Sequence, residues 1–148
     1  MEEKEHELRQ ARHSLANMLA RRDHSELELQ QKLSLRYSQE IVETVLTEAK
    51  EKKWLSSPEE LAERVSEQLH RKLKGRRYIT QYLKKKGLPL PALCPEREQE
   101  KAQELLARHF QWDLSDSTQS LPLSEKQRAF HYLQRRGYEE ALIRDLLF

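Results

Sequence analysis

The segments YLKKKG (82–87) and YLQRRG (132–137) lie fifty residues apart in a chain of 148. This spacing constrains the fold more than any other feature. Shifted on itself by fifty, the sequence places Leu33 on Leu83 and Leu83 on Leu133, Leu29 on Ile79 and Ile79 on Ala129, Leu15 on Val65, and Leu19 on Leu69. Shifted by one hundred, it places Ile41, Val42 and Leu46 on Ala141, Leu142 and Leu146. One coincidence means little in a leucine-rich chain. Several at one offset, spread over three apolar stripes, indicate a tandem repeat of small units that bury their apolar faces together. The Tyr-Leu-basic-Gly segment then reads as the end of each unit's second helix. Its leucine is core, its cations suit the helix C-terminus, and its glycine takes the left-handed cap.

The units are helical. With only 3 glycines and 35% charged residues, the chain is rich in straight-chain side chains that lose little rotamer freedom in a helix. Apolar residues recur at helical spacing, as in Leu8, Ala11, Leu15 and Leu19, or Leu61, Val65, Leu69 and Leu73. Starts are expected at Asp23 with Glu26, at Ser38, at Ser57-Pro58 with Glu60, at Pro95, and at Ser124 with Gln127; stops are expected at Gly87 and Gly137. Eight helices result. The ruler slips where three prolines crowd 87–95, and the loop at 111–124 restores register, so the second unit has a shortened third helix. The expected fold is all-α, an elongated tandem array of three-helix units at 1–56, 57–94 and 95–148.

The net charge of +2 hides a strong asymmetry. No acid occurs from Gln68 to Pro95, while that stretch carries Arg71, Lys72, Lys74, Arg76, Arg77, Lys84, Lys85 and Lys86; residues 39–67 hold eight glutamates against four basic residues. At about 100° per residue, Arg76, Arg77, Lys84 and Lys85 share the side of a helix opposite Ile79, Tyr82 and Leu83. Such a face suits phosphate oxygens or an acidic protein surface; the plainer alternative is a solvated face with no partner. Arg21, Arg22, Lys32 and Arg36 in the first unit, and Arg128, Arg135 and Arg136 in the third, extend the stripe, although acids interleave the first group.

Catalytic constellations are not evident. The six histidines form no HxxxH pair, the single Cys94 lacks a second thiol, and three glycines build no phosphate loop. Cys94 between prolines reads as structural, and Trp54 and Trp112 as lids on the core. No enzyme, metal site or cofactor is expected. One cysteine fits a reducing cytoplasm, and no stretch approaches the roughly 20 apolar residues of a membrane span.

At its two ends the sequence resembles the RecX family, regulators of the RecA recombinase. LANMLARRDHSELELQQKL (15–33) is similar to the family's opening helix and its Arg-Asp-His-Ser, Glu-Leu and Leu pattern, here Arg22-Asp23-His24-Ser25, Glu28-Leu29 and Leu33. KQRAFHYLQRRGYEEALIRDLL (126–147) resembles the family's C-terminus, including the Arg-Gly-Tyr step. LHRKLKGRRYITQYLKKKG keeps the middle pattern loosely, and the prolines of 87–95 depart from the usual third helix. The resemblance implies a cytoplasmic monomer that binds the RecA filament on DNA and restrains strand exchange, ATP turnover and co-protease activity. Single- and double-stranded DNA would be weaker, electrostatic partners. The alternatives are a helical nucleic-acid-binding protein acting without RecA, or a scaffold whose binding ignores salt.

Overall fold

The computed structural model describes residues 2–92, 94–112 and 121–148. The described residues form eight α-helices: α1 (Glu2–Arg21), α2 (Glu26–Ser34), α3 (Gln39–Glu51), α4 (Pro58–Arg71), α5 (Arg76–Lys85), α6 (Pro95–Phe110), α7 (Leu123–Arg135) and α8 (Glu140–Leu147). They contain no strand. The fold is an all-α array of three-helix repeats in which the middle repeat lacks a full third helix. Between α5 and α6 the described residues adopt no helix, as the prolines at 89 and 91 require. Part of the register-restoring loop at 111–124, residues 113–120, lies outside the described residues.

Contacts divide the chain into two compact units, Met1–Ala62 with Lys84–Pro89, and Glu63–Leu83 with Leu90–Phe148. In the first, α1, α2 and α3 pack on one another. Their core is Ala11, Leu15, Leu29, Leu33, Ile41, Val42, Val45, Leu46 and Ala49. In the second, α6, α7 and α8 do the same. Ala102, Leu105, Leu106, Ala129, Leu133, Tyr138, Ile143 and Leu147 join Leu73 in that core.

The second helix of each repeat follows the fifty-residue ruler. Leu33, Leu83 and Leu133 are 1%, 1% and 0% exposed, and Leu29, Ile79 and Ala129 are likewise buried. The third helix does not follow it. Ala141 is exposed and Leu142 and Leu146 are only half-buried; the core residues of α8 are Ile143 and Leu147. The offset there is 101, which aligns Val42 with Ile143, Leu46 with Leu147 and Tyr37 with Tyr138. Gly137 is the extra residue. Tyr37 N–H reaches back to the Leu33 carbonyl (2.9 Å), whereas Tyr138 N–H reaches back to Leu133 (3.1 Å), one residue further. Gly137 at φ +96° makes that wider turn possible.

Two helix starts also differ from expectation. α2 is capped by Ser25, whose Oγ accepts from Glu28 N–H (3.1 Å) while Glu28 Oε1 accepts from Ser25 N–H (3.3 Å). This reciprocal pair satisfies two orphan donors at once, which Asp23 with Glu26 does not. α7 starts before Ser124, because the Pro122 carbonyl already accepts from Glu125 and Lys126 N–H (both 3.1 Å). The Ser57 cap stands: its Oγ accepts from Glu60 N–H (3.2 Å).

Replacing Leu33, Leu83 or Leu133 by alanine should each lower stability by about 2–5 kcal/mol, since all three are fully buried. Chemical denaturation of the three variants checks this. Three unchanged midpoints would break the repeat register.

Candidate functional site

The acid-free stretch begins at the turn joining α4 to α5, and its main chain is held from outside. Leu73 sits at φ +60°, so the chain reverses sharply after α4. Three successive carbonyls are thereby aimed away from any helix. Each meets a long side chain: Arg136 Nη2 donates to Lys72 O, the Tyr138 hydroxyl to Leu73 O (2.9 Å), and Lys101 Nζ to Lys74 O (2.7 Å). The first N–H groups of α5 are matched in the same way. Gly75 donates to Arg136 O (2.8 Å), Arg76 to Glu98 Oε2 (2.9 Å) and Arg77 to Gly137 O (2.8 Å). The backbones touch here. A Cβ on Gly75 would lie 2.4 Å from the Gly137 carbonyl carbon, which leaves room for glycine alone.

Behind the turn lies a buried polar cluster. Lys101 and Glu98 form an ion pair (2.5 Å) with side chains only 6% and 11% exposed. Lys101 Nζ also donates to His70 Nδ1 (2.7 Å). Burial, and then the positive charge of Lys101, push the His70 pKa down, which keeps the ring neutral and able to accept that bond. Burial likewise pushes Lys101 down, against the pull of Glu98. Sequence reasoning missed Gly75, Glu98, Lys101 and Tyr138. The lone glycine within the basic run was the available signal.

This scaffold divides the predicted cations. Arg71, Lys72, Arg77, Lys84 and Lys85 are exposed. Arg77, Lys84 and Lys85, with Gln81, line the outer side of α5 opposite the buried Ile79 and Leu83. Tyr78 stacks near Tyr82 (centroids 6.4 Å apart) and carries the Lys74 ammonium over its ring (4.6 Å). Arg76 is half-buried and pairs with Glu139 (3.5 Å). Arg136 is half-buried and Arg135 exposed at the end of α7.

In the first unit, Arg21 is exposed at the end of α1, while Arg22 and Lys86 converge on one carboxylate. Glu28, with its side chain 8% exposed, accepts from Arg22 Nη2 (2.8 Å) and Lys86 Nζ (3.1 Å). Burial alone would raise its pKa, but these two bonds and the Ser25 N–H hold it at about 2. Arg22 and Lys86 therefore brace the α2 start.

Cys94 is exposed at the N-cap of α6, not packed away, and its Sγ lies 3.3 Å from Glu96 Oε2. Trp112 packs on the second core, whereas Trp54 is 47% exposed beneath Lys52 and covers no core. No group of His, Cys, Asp or Glu among the described residues is arranged to hold a metal, and no described helix is long and apolar enough to cross a membrane.

Residues 11–48, which span most of α1 to α3, match the family model described as RecX, first three-helix domain. Over these residues the chain is similar to the RecX family's first domain. Two solved structures share the fold. The crystal structure of RecX from Lactobacillus salivarius superposes with a TM-score of 0.70 at 18% identity, over 95% of this chain and 94% of that one. A crystal structure of regulatory protein RecX gives a TM-score of 0.74 at 19% identity, over 95% of this chain and 72% of that one. No curated protein sequence matches the chain. The matched segment contains both the Ser25–Glu28 capping box and the start of the fifty-residue ruler.

Two variants check this scaffold. Tyr138→Phe leaves the Leu73 carbonyl without its partner and should cost about 1–3 kcal/mol of stability, read from denaturant midpoints. Glu28→Gln should destabilise most above the ordinary carboxylate pKa of 4.5. A carboxylate with a depressed folded-state pKa stabilises above its unfolded value and loses that contribution as pH falls through the folded one. The gap between wild type and Glu28→Gln should thus close as pH drops from 4.5 towards about 2. A gap independent of pH would show that the charge of Glu28 contributes nothing.

Proposed function

We propose that the chain is a RecX-type regulator of RecA, a monomer of three helical units (1–56, 57–94 and 95–148) that acts in the cytoplasm. It binds the RecA filament on DNA and restrains recombinase, ATPase and co-protease activity. The observation that carries this reading is the match of residues 11–48 to the RecX first domain.

The contact surface is drawn from Arg71, Lys72, Lys74, Arg76, Arg77, Lys84, Lys85 and Lys86, extended by Arg21, Arg22, Arg135 and Arg136. Within it the outer face of α5 contributes most. Arg77, Lys84 and Lys85 are exposed there with no acid on the helix, so their charge is available to phosphate or to acidic protein. Arg22, Lys86 and Arg76 are already paired with carboxylates, so their removal acts on the scaffold as well as on the binding face.

A second reading, nucleic-acid binding independent of RecA, is favoured by the 28 acid-free residues from Gln68 to Pro95. Capture of purified RecA by the immobilised chain, with and without single-stranded DNA and a non-hydrolysed nucleotide, separates the two. Retention of RecA supports the first reading. Retention of DNA alone supports the second.

Arg77→Gln/Lys84→Gln/Lys85→Gln should melt as wild type, since all three heads are exposed. It should inhibit RecA ATP hydrolysis poorly, and the salt slope of its single-strand binding should fall by about 0.7 for each phosphate left without a cation. Unchanged inhibition and an unchanged slope would move the functional face off α5.

A further inference from the structure

The first unit holds a cleft of about 310 Å³ between the C-terminal half of α1 and the end of α2. Its polar lining is Ser14, Asn17, Arg21, Lys32, Arg36 and Tyr37. Three cations thus surround it, and no carboxylate lines it. Arg22, next in sequence to Arg21, is bound to Glu28; Arg21 and Arg36 are exposed around the cleft instead.

Lys32 is held there by a buried histidine. His24, 6% exposed, places Nδ1 2.9 Å from the Arg22 carbonyl and Nε2 3.2 Å from Lys32 Nζ. The carbonyl requires N–H on Nδ1, so Nε2 is the acceptor and the ammonium the donor. Burial, aided by the charges of Arg22 and Lys32, lowers the His24 pKa against the pull of the Arg22 carbonyl and so favours the neutral ring. The Ser14 and Tyr37 hydroxyls are 2.8 Å apart and share one hydrogen. One hydroxyl proton therefore remains to donate to a ligand. Met18 and Leu33 supply the apolar part of the lining, enough for a sugar or base edge beside an anion.

We infer that this cleft is a phosphate subsite for single-stranded nucleic acid, with Arg21, Lys32 and Arg36 on the phosphate oxygens and the Ser14–Tyr37 pair donating one hydroxyl. Two guanidinium forks and a fixed ammonium match a phosphodiester, and the Asn17 amide adds a neutral donor. The inference rests on the nucleic-acid-binding part of the function proposed above. It adds a second contact region, built on different helices from the α5 face. A free nucleotide offers the same phosphate chemistry, and the test separates the two sources.

Anisotropy of a labelled oligothymidylate is titrated with the full chain across a salt series. The variants are Arg21→Gln/Arg36→Gln, Arg77→Gln/Lys84→Gln/Lys85→Gln, and Arg9→Gln/Lys53→Gln, which removes two exposed cations of the first unit that do not line the cleft. The cleft variant should melt normally and lose affinity, with a salt slope reduced by about 0.7 for each phosphate released; the Arg9/Lys53 variant should keep the wild-type slope. Tyr37→Phe should weaken binding without changing the slope, because it removes a hydroxyl and no charge. If the cleft variant binds as wild type while the α5 variant weakens, the cleft inference falls and the function proposed above stands. If wild type binds no oligothymidylate, the cleft inference and the nucleic-acid-binding part of the proposed function both fall, while the RecA reading is decided by the capture experiment. If the cleft variant loses binding of ATP but keeps the oligothymidylate slope, the occupant is a free nucleotide and the strand assignment is overturned.

Discussion

The α4–α5 turn is fixed by groups that lie far from it in sequence. Left to themselves, the carbonyls of Lys72, Leu73 and Lys74 and the N–H groups of Gly75, Arg76 and Arg77 would be orphans at two adjoining helix ends. Arg136, Tyr138, Lys101, Glu98 and Gly137 supply the partners. A buried backbone group without a partner costs more than a made bond gains. The position of α5 therefore depends on the packing of α6 and on the wide turn at Gly137. It also explains two features otherwise unrelated: a tyrosine at 0% exposure and two glycines in backbone contact.

The same physics accounts for the slip between repeats. Three-helix units repeat because each must bury a helix stripe against two others, and the second helix holds the ruler through Leu33, Leu83 and Leu133. The third helix shifts by one residue because Gly137 has a second task. Its carbonyl accepts from Arg77 and it lies against Gly75, so the chain leaves α7 by a wider path than it leaves α2.

Most of the fold is legible in the sequence, since helix stripes, prolines and glycine stops are local signals. The eight helices, the missing helix after α5 and the three equivalent leucines all follow from them. The hundred-residue match of α8 misleads because Leu142 and Leu146 each stand directly before a core residue, Ile143 or Leu147, so apolar residues align in either register. The inserted glycine is recognisable only from the hydrogen bonds that cross it. The candidate site is less legible. A basic run shows where charge lies along the chain, but not which heads are already held. Arg22 and Lys86 look equivalent to Arg21 and Lys85 in sequence. Glu28 separates them, because a buried carboxylate binds both members of the first pair. Lys101 and Glu98 read as an ordinary surface pair three residues apart, yet they are buried because the turn needs them.

The grip on the α4–α5 turn is made almost wholly to its main chain. Lys72, Leu73 and Lys74 present carbonyls, and Arg76 and Arg77 present N–H groups, so these bonds specify a path without specifying the side chains of residues 72, 74, 76 and 77. Gly75 is dictated by backbone contact and Leu73 by its place in the core. Surface chemistry on this segment is thus free to drift in charge, length and hydrogen-bonding character while the backbone that displays it stays put. Such a segment can take on new surface chemistry by substitution alone, without a new fold.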